Sequence, residues 1–488
     1  MTRTVRPLCP AGVITLATLL IAARAPAEDP PTLAWIRQFG AAGFATAGGD
    51  VSADSLGNIF VAGQSDSETV DRAFLRTYDF EGNFQRSYEL PPVGADEISS
   101  AGVWADGLGN AYWVGGVGPT SSTKDPYVYK FDAAGTVLWD REIPRTGNAG
   151  FGEVSGDGLG NVYLVGSSSQ GDGFLYKFDV DGNTIWAREF IVGYSGFADV
   201  AADALGNIYV SGSTHLSFGG PNAGEYDAIL TKFDGEGNQV WARQFGGANY
   251  EFADGVETDG IGNVYVAGER WLASYKEAFV RKYDSDGNLL WNRQFGGAGS
   301  TADVQGIASD GYGNIYVSGY TEGSLGGANA GESDAFIRKY DAAGNVLWTY
   351  QLGSPGRDDS NRIWADGLGN ILIAGTTFGD LVAPLTGTTS DAWVALLREY
   401  LAGDYNADDV IDATDYTVWK SSFGSTTSLA ADGNRNGIID AADYVVWRNN
   451  LALSNPTTRA NASLVPEPAS IGLLGAALAI GGSWARRR

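Results

Sequence analysis

A single cysteine, Cys9, and a single histidine, His215, occur in 488 residues. Cys9 lies ahead of an apolar run near the N-terminus, so a chain cleaved after that run has no thiol for catalysis, metal binding or a disulfide. One histidine removes most triad, dyad and histidine-rich metal schemes. His215 itself reads as a loop residue with no special role. Basic residues are scarce too, with 32 Lys and Arg against 58 Asp and Glu, a formal charge of −26. Nucleic-acid phosphates need clustered Lys and Arg, so DNA and RNA are excluded as partners, and divalent cations are the better expectation. Glycine is abundant instead: 69 glycines and 14 tryptophans argue against a helical protein and for an all-β one.

Apolar runs are confined to the two ends. Arg3 and Arg6 precede Ala11 to Ala23, and Ala25-Pro26-Ala27 has the small-x-small pattern that signal peptidase accepts. Residues 1–27 are therefore expected to be a cleaved signal peptide, since the run is too short to span a bilayer comfortably. At the other end Val465-Pro466-Glu467-Pro468 leads into an apolar segment, Ala469 to Trp484, closed by Arg486, Arg487 and Arg488. Positive charge there favours a cytoplasmic end. Over residues 465–488 the order of Pro466, Glu467 and Pro468, apolar segment and arginine cluster resembles the PEP-CTERM sorting signal of exopolysaccharide-producing bacteria. That resemblance implies recognition and removal by an exosortase-type membrane peptidase. An ordinary tail anchor would share the topology without the processing.

Between Leu33 and Tyr400 one unit recurs seven times: an Asp-x-x-Gly-Asn turn, an apolar strand ending in Gly, a loop and a second strand. The turn asparagines are Asn58, Asn110, Asn161, Asn207, Asn263, Asn314 and Asn370, spaced by 46 to 56 residues. That is the length of one four-stranded propeller blade. Alternating apolar positions, as in Asn314-Ile315-Tyr316-Val317-Ser318-Gly319, carry the period of a strand. Phe336 to Asp341 then turns through Ala342-Ala343-Gly344-Asn345 into Val346-Leu347-Trp348, which gives the two outer strands. The seventh unit has no outer Trp strand after Tyr400. Trp35 to Gly40 matches Trp241 to Gly246 and Trp291 to Gly296 but has no strands of its own before it.

The expected fold is thus all-β: a seven-bladed β-propeller over residues 33–400, its N-terminal strand pairing into the last blade and leaving only short protected edges. The units, including the loops Gly219 to Gly224 and Gly326 to Gly331, resemble the seven-bladed β-propeller (SBBP) repeat family of bacterial surface proteins. The resemblance implies a fold and an extracellular setting and does not fix a ligand.

Two tempting readings yield to plainer ones. Asp179-Val180-Asp181-Gly182 and Asp284-Ser285-Asp286-Gly287 look like cation loops, yet a tight hairpin needs positive φ at Gly or Asn and an Asp that bonds the turn backbone. Tryptophans 139, 186, 241, 291 and 348 resemble the Gly-x-x-x-Trp repeats of quinoprotein dehydrogenases. Their regular recurrence argues for packing between blades, because one cofactor site needs no such repetition. No carboxylate pair stands out as a glycosidase centre, so no catalytic residue is assigned.

After Tyr400 the pattern changes. Asp404, Asn406, Asp408, Asp412 and Asp415 fill positions 1, 3, 5, 9 and 12 of a calcium loop, and Asp432, Asn434, Asn436, Asp440 and Asp443 repeat them 28 residues later. The carbonyls of Val410 and Ile438 stand at position 7. Hard oxygen ligands at this spacing suit calcium, two ions in all. Gly437 supplies the sharp turn at position 6, where the first loop has Asp409 instead. Each loop is followed by an apolar helical spacing, Tyr416, Trp419 and Phe423, then Tyr444, Trp447 and Leu451. Residues 403–451 resemble a type I dockerin, with Asp at position 12 as in that family. The resemblance implies a cohesin-like partner, met by Ala413, Thr414 and Lys420 in one half and Ala441, Ala442 and Arg448 in the other. The alanines depart from the hydroxyl pairs of many cellulosomal dockerins. Residues 452–464 form a linker to the tail.

Two functions are consistent with this organisation. One is a non-catalytic, monomeric interaction protein of the cell envelope or extracellular surface, transiently held in the membrane by its tail, its propeller offering a binding face to a ligand such as an extracellular polysaccharide. The other is a polysaccharide hydrolase or lyase attached through the dockerin-like module.

Overall fold

A computed structural model describes residues 28–67, 71–89, 97–118, 124–143, 150–168, 171–191, 193, 196–260, 262–297, 299–399, 403–406, 410–433 and 437–451. The expected signal peptide, the linker and the Pro466-Glu467-Pro468 tail lie outside them. Seven four-stranded antiparallel sheets follow one another as the blades of a propeller. Blade 1 spans residues 45–89, blade 2 97–142, blade 3 150–191, blade 4 196–245, blade 5 250–296 and blade 6 302–352. Their strands pair in chain order. Blade 7, residues 358–398, has three strands of its own and takes Thr32–Phe39 as its fourth. Thr32 lies opposite Arg398 and Phe39 opposite Ala392, so the closure expected from the strand count is the one found.

The middle strands are buried on both faces, as in Ile208–Thr214 and Asp227–Phe233, because every blade packs against two neighbours. An outer strand such as Thr184–Ile191 alternates between exposed and half-buried positions. Each core cluster joins two adjacent blades. Leu372, Ala374, Val394 and Leu396 of blade 7 meet Val51, Ile59 and Val61 of blade 1, so the seam that closes the ring is as apolar as the others.

The hairpin between first and second strands explains the recurring motif. Asp203 Oδ1 accepts from the amides of Leu205 (3.0 Å) and Asn207 (2.9 Å), and Asn207 Nδ2 donates to Asp203 Oδ2 at 2.7 Å. Gly206, at φ 81°, makes the left-handed step. The same Asn-to-Asp side-chain bond recurs in all seven blades. Asp179 likewise accepts from the amides of Asp181 and Asn183, and Asp284 from those of Asp286 and Asn288, so the two cation-like sequences are turns. These hairpins share one end of the propeller, the turn face. The connections between second and third strands, and between blades, open on the opposite loop face.

The tryptophans join the blades. Trp35, Trp139, Trp186, Trp241 and Trp291 each donate Nε1 to a carbonyl in the outer hairpin of the next blade, at 2.9 to 3.1 Å. Two residues on, Arg37, Arg141, Arg243 and Arg293 donate Nε to a glycine carbonyl of the same hairpin. Beyond the propeller come two helices, α1 (Ala413–Ser422) and α2 (Ala441–Asn450). Among the described residues no helix is long and apolar enough to cross a membrane.

Candidate functional sites: the propeller axis and the loop-helix module

Period two breaks once in the inner strand of every blade. The pairing skips between Gly48 and Asp50, Ser100 and Gly102, Phe151 and Val154, Phe197 and Asp199, Ala253 and Gly255, Val304 and Gly306, and Ser360 and Arg362. A bulge re-aims the side chain it leaves unpaired. Skipped residues, among them Glu153, Asp254, Gln305 and Asn361, line a cavity of about 530 Å3 to which the inner strands of all seven blades contribute. Arg362 of blade 7 reaches across it to Glu153 of blade 3, with Nη2 2.6 Å from Oε1 and Nε 2.9 Å from the same atom, and donates to the Gln305 carbonyl. Asp50 accepts from the Val103 amide and Asp199 from the Val256 amide, tying neighbouring inner strands together. Burial raises all three carboxyls, against the pull of Arg362: Asp50 to about 6, Asp199 upward and Glu153 well above the usual range.

Towards the loop face the same cavity is lined by Asp254, Glu269, Lys276 and Asp303. Lys276 is paired with Asp303 and lies 3.8 Å from Glu269 Oε1. Trp271 Nε1 donates to Glu269 Oε1 at 3.0 Å. Burial, and then the neighbouring Asp254 charge, push Glu269 well above the carboxylate range, and burial raises Asp254 too. Nothing in the sequence marks these residues as partners: Asp254, Glu269 and Lys276 come from three successive strands of blade 5, Asp254 being turned inward by its bulge, and Asp303 comes from blade 6.

In the loop-helix module the last carboxylate of each loop is fully buried. Asp415 Oδ1 accepts from the amides of Tyr405 (2.7 Å) and Asn406 (3.1 Å), and its Oδ2 from that of Asp412 (2.7 Å). Asp443 Oδ2 accepts from the Asp440 amide at 2.7 Å. Asp412 and Asp440 in turn cap α1 and α2, accepting from the amides of Thr414 and Ala442, so positions 9 and 12 together form a capping box at each helix start. The Thr414 bonds hold the Asp412 carboxyl below its ordinary range. Gly437 has φ 83° and donates its amide to Asp432 Oδ2, the left-handed turn expected at position 6. The two halves lock reciprocally: Trp419 Nε1 donates to the Asp440 carbonyl and Trp447 Nε1 to the Asp412 carbonyl, both at 2.8 Å. Tyr416, Trp419, Tyr444 and Trp447 pack together beside a core of Tyr405, Ala431 and Ile439.

Residues 402–452 match the dockerin type I domain. That family is calcium-binding and docks onto cohesins. The β-propeller repeat model (SBBP) matches residues 34–68, 290–326 and 347–381. No curated protein matches the chain. Similar solved structures include the Mitotic Checkpoint Complex, at 11% identity over 82% of this chain and 99% of that one, TM-score 0.46. The β-propeller domain of the Trilobed protease from Pyrococcus furiosus is 10% identical over 68% and 91%, TM-score 0.42. A protein of unknown function from Bacteroides caccae is 13% identical over 55% and 94%, TM-score 0.35. Likeness at this level transfers neither ligand nor activity.

Within the dockerin domain Asp404, Asp415, Asp432 and Asp443 are buried and Asn406, Val410 and Ile438 exposed. Asp408, Asn434 and Asn436 lie outside the described residues. Among the described residues no three acidic, histidine or cysteine side chains gather closely enough to hold a metal. The donor set nevertheless fits calcium: all oxygen, with two buried carboxylates in each half that a cation would compensate. Ala413, Thr414, Lys420, Ala441, Ala442 and Arg448 are all exposed. Thr414 also has an internal task, since its hydroxyl accepts from Asn406 Nδ2 and donates to Asp412 Oδ1. The helix faces differ from expectation at their ends: Phe423 and Leu451 are exposed, and Val418 packs on the core instead.

Proposed function

We propose that the chain is an exported, non-catalytic interaction protein of the cell envelope, in which the propeller presents a binding face and the dockerin domain docks a cohesin-like partner in the presence of two calcium ions. The observation that carries this reading is the doubled, reciprocally locked loop-helix unit with its buried Asp415 and Asp443. Calcium would supply the charge that relieves repulsion among each loop's carboxylates, and the exposed helix residues Lys420 and Arg448, with Ala413, Thr414, Ala441 and Ala442, would meet the partner. The signal peptide and the PEP-CTERM-like tail would route the chain to the envelope, the tail then being removed by an exosortase-type peptidase.

The test is capture from an envelope extract on immobilised full chain with calcium or with chelator, followed by mass spectrometry. Calcium-dependent recovery of a protein with a cohesin-type domain, lost in the Asp415→Ala/Asp443→Ala variant, is expected; capture indifferent to chelator and to that variant overturns the reading.

Two carboxyls on the wall of one cavity, Glu269 and Asp254, with burial raising Glu269, favour one alternative, a polysaccharide hydrolase or lyase. Polysaccharide turnover abolished by Glu269→Gln would replace the first reading with this one.

A further inference from the structure

The loop face carries an arc of aromatic rings interleaved with cations. Tyr226 stacks on Tyr250 at 5.7 Å, and Tyr250 lies 6.1 Å from Trp271, its cross-strand partner. Lys276 Nζ sits 4.7 Å from the Trp271 ring and 5.8 Å from Tyr320. The Arg357 guanidinium continues the line, 5.2 Å from Tyr320 and 5.8 Å from Phe378. The arc crosses blades 4, 5, 6 and 7. Tyr250, Trp271 and Phe378 remain 38, 44 and 44% exposed. Behind Trp271 lies the axial cavity with Glu269, Asp254, Asp303 and Lys276 on its wall.

We propose that this arc is the propeller's ligand site and that it binds a neutral polysaccharide chain. The proposal rests on the reading of the propeller as a binding face and locates that face. Exposed rings present flat apolar faces, which suit the C–H face of a pyranose, while tyrosine and tryptophan also carry a polar edge. Carboxyl and amide side chains line the cavity beside the rings, Glu269, Asp254, Asp303 and Gln305 among them. Sugar hydroxyls both donate and accept, which matches a wall of carboxyl oxygens with Lys276 among them. An anionic polymer is disfavoured because the cations are already neutralised: Lys276 is paired with Asp303, and Arg357 Nε is 2.6 Å from Asp359 Oδ2. Asp254 and Glu269 add carboxyls to the wall without a further cation, so nothing there attracts a polyanion. The line of rings over four blades suits an extended chain of several sugar units.

Native electrophoresis of the full chain in gels containing hydroxyethyl cellulose, laminarin, xylan or galactomannan, with polygalacturonate as the anionic comparison, tests this. Retardation by at least one neutral glycan is expected, weakened at least tenfold by Trp271→Ala and measurably by Phe378→Ala. Leu205→Ser, on the turn face, should bind as the parent does. Each variant's melting temperature reports whether it folds, and Phe378→Ala keeps the test decisive if Trp271→Ala does not. Retardation by no neutral glycan, by polygalacturonate alone, or retardation unaltered in both aromatic variants overturns the proposal. Calcium-dependent capture by the dockerin domain should be unaltered in Trp271→Ala, so failure of the glycan site and failure of the docking reading give different results.

Discussion

Asp203 shows how much one side chain does in each repeat. Its residue is only 6% exposed, and its two oxygens accept three hydrogen bonds within the hairpin it starts. Asp203→Ala removes three part-buried bonds, each with a net worth of about 0.5–1.5 kcal/mol where water replaces the acceptor, so the variant should lose stability by about 1–3 kcal/mol in denaturant unfolding. Asp203→Asn, which keeps one acceptor, should lose less. This residue-scale chemistry was legible in the sequence because donor and acceptor lie within four positions. Glu153 and Arg362 were not, since they are 209 positions apart and a bulge, invisible to a period-two reading, turns Glu153 inward. Positions 9 and 12 of the calcium loops fall between these cases. Their spacing as ligands was readable, whereas their second use as capping boxes at Asp412 and Asp440 follows from where the helices begin.

At the scale of the element, the outer strand is the part of a blade that fixes its neighbour. Recurrence of tryptophan in the sequence indicated packing between blades, but not the acceptor, which is a carbonyl of the next blade's hairpin. The exceptions explain themselves by what each blade lacks. Blade 1 has Arg86 at the tryptophan position, and Arg86 with Tyr88 donates to the Ala134 carbonyl of blade 2. Blade 7 has no outer hairpin of its own, so Trp348 of blade 6 donates to Glu399 at 2.8 Å, and Lys339 pairs with the same carboxylate. Trp186→Phe keeps a smaller ring between blades 3 and 4 and removes the 3.0 Å bond to the Gly235 carbonyl. It should destabilise the propeller by about 1 kcal/mol in denaturant unfolding, the net worth of one such bond. Trp186→Ala should cost more, since it also removes the ring from its packing against Tyr163.

For the whole molecule, closing seven blades around an axis gathers acidic groups that the sequence spreads over two hundred residues. Seven blades and the closing strand could be counted from the repeat, but the charge on the axis could not, because it depends on which inner-strand residue each bulge turns inward. The consequence is a pH dependence opposite to that of exposed carboxylates. Burial pushes Asp50 up to about 6, and burial, joined by the charges of Asp199 and Asp259, pushes Glu257 up to about 8. A carboxyl with a higher pKa folded than unfolded holds its proton more tightly in the folded state. Its contribution to stability is therefore full below the ordinary carboxylate range and is lost as pH rises through 6 for Asp50 and through 8 for Glu257. Turn carboxylates such as Asp79, held down by Asn83 against the effect of burial, act the other way and matter only below about pH 4. The melting temperature of the propeller, followed by calorimetry of the full chain in excess calcium, should thus fall from about pH 5 to about pH 8. Glu257→Gln retains an acceptor for the Thr258 amide and has no proton to lose, so it should flatten the upper part of that fall and melt above the parent at pH 9. A melting temperature constant or rising from pH 6 to 8 would show that these buried carboxyls are ionised at no cost, and their assignment as raised groups would have to be abandoned.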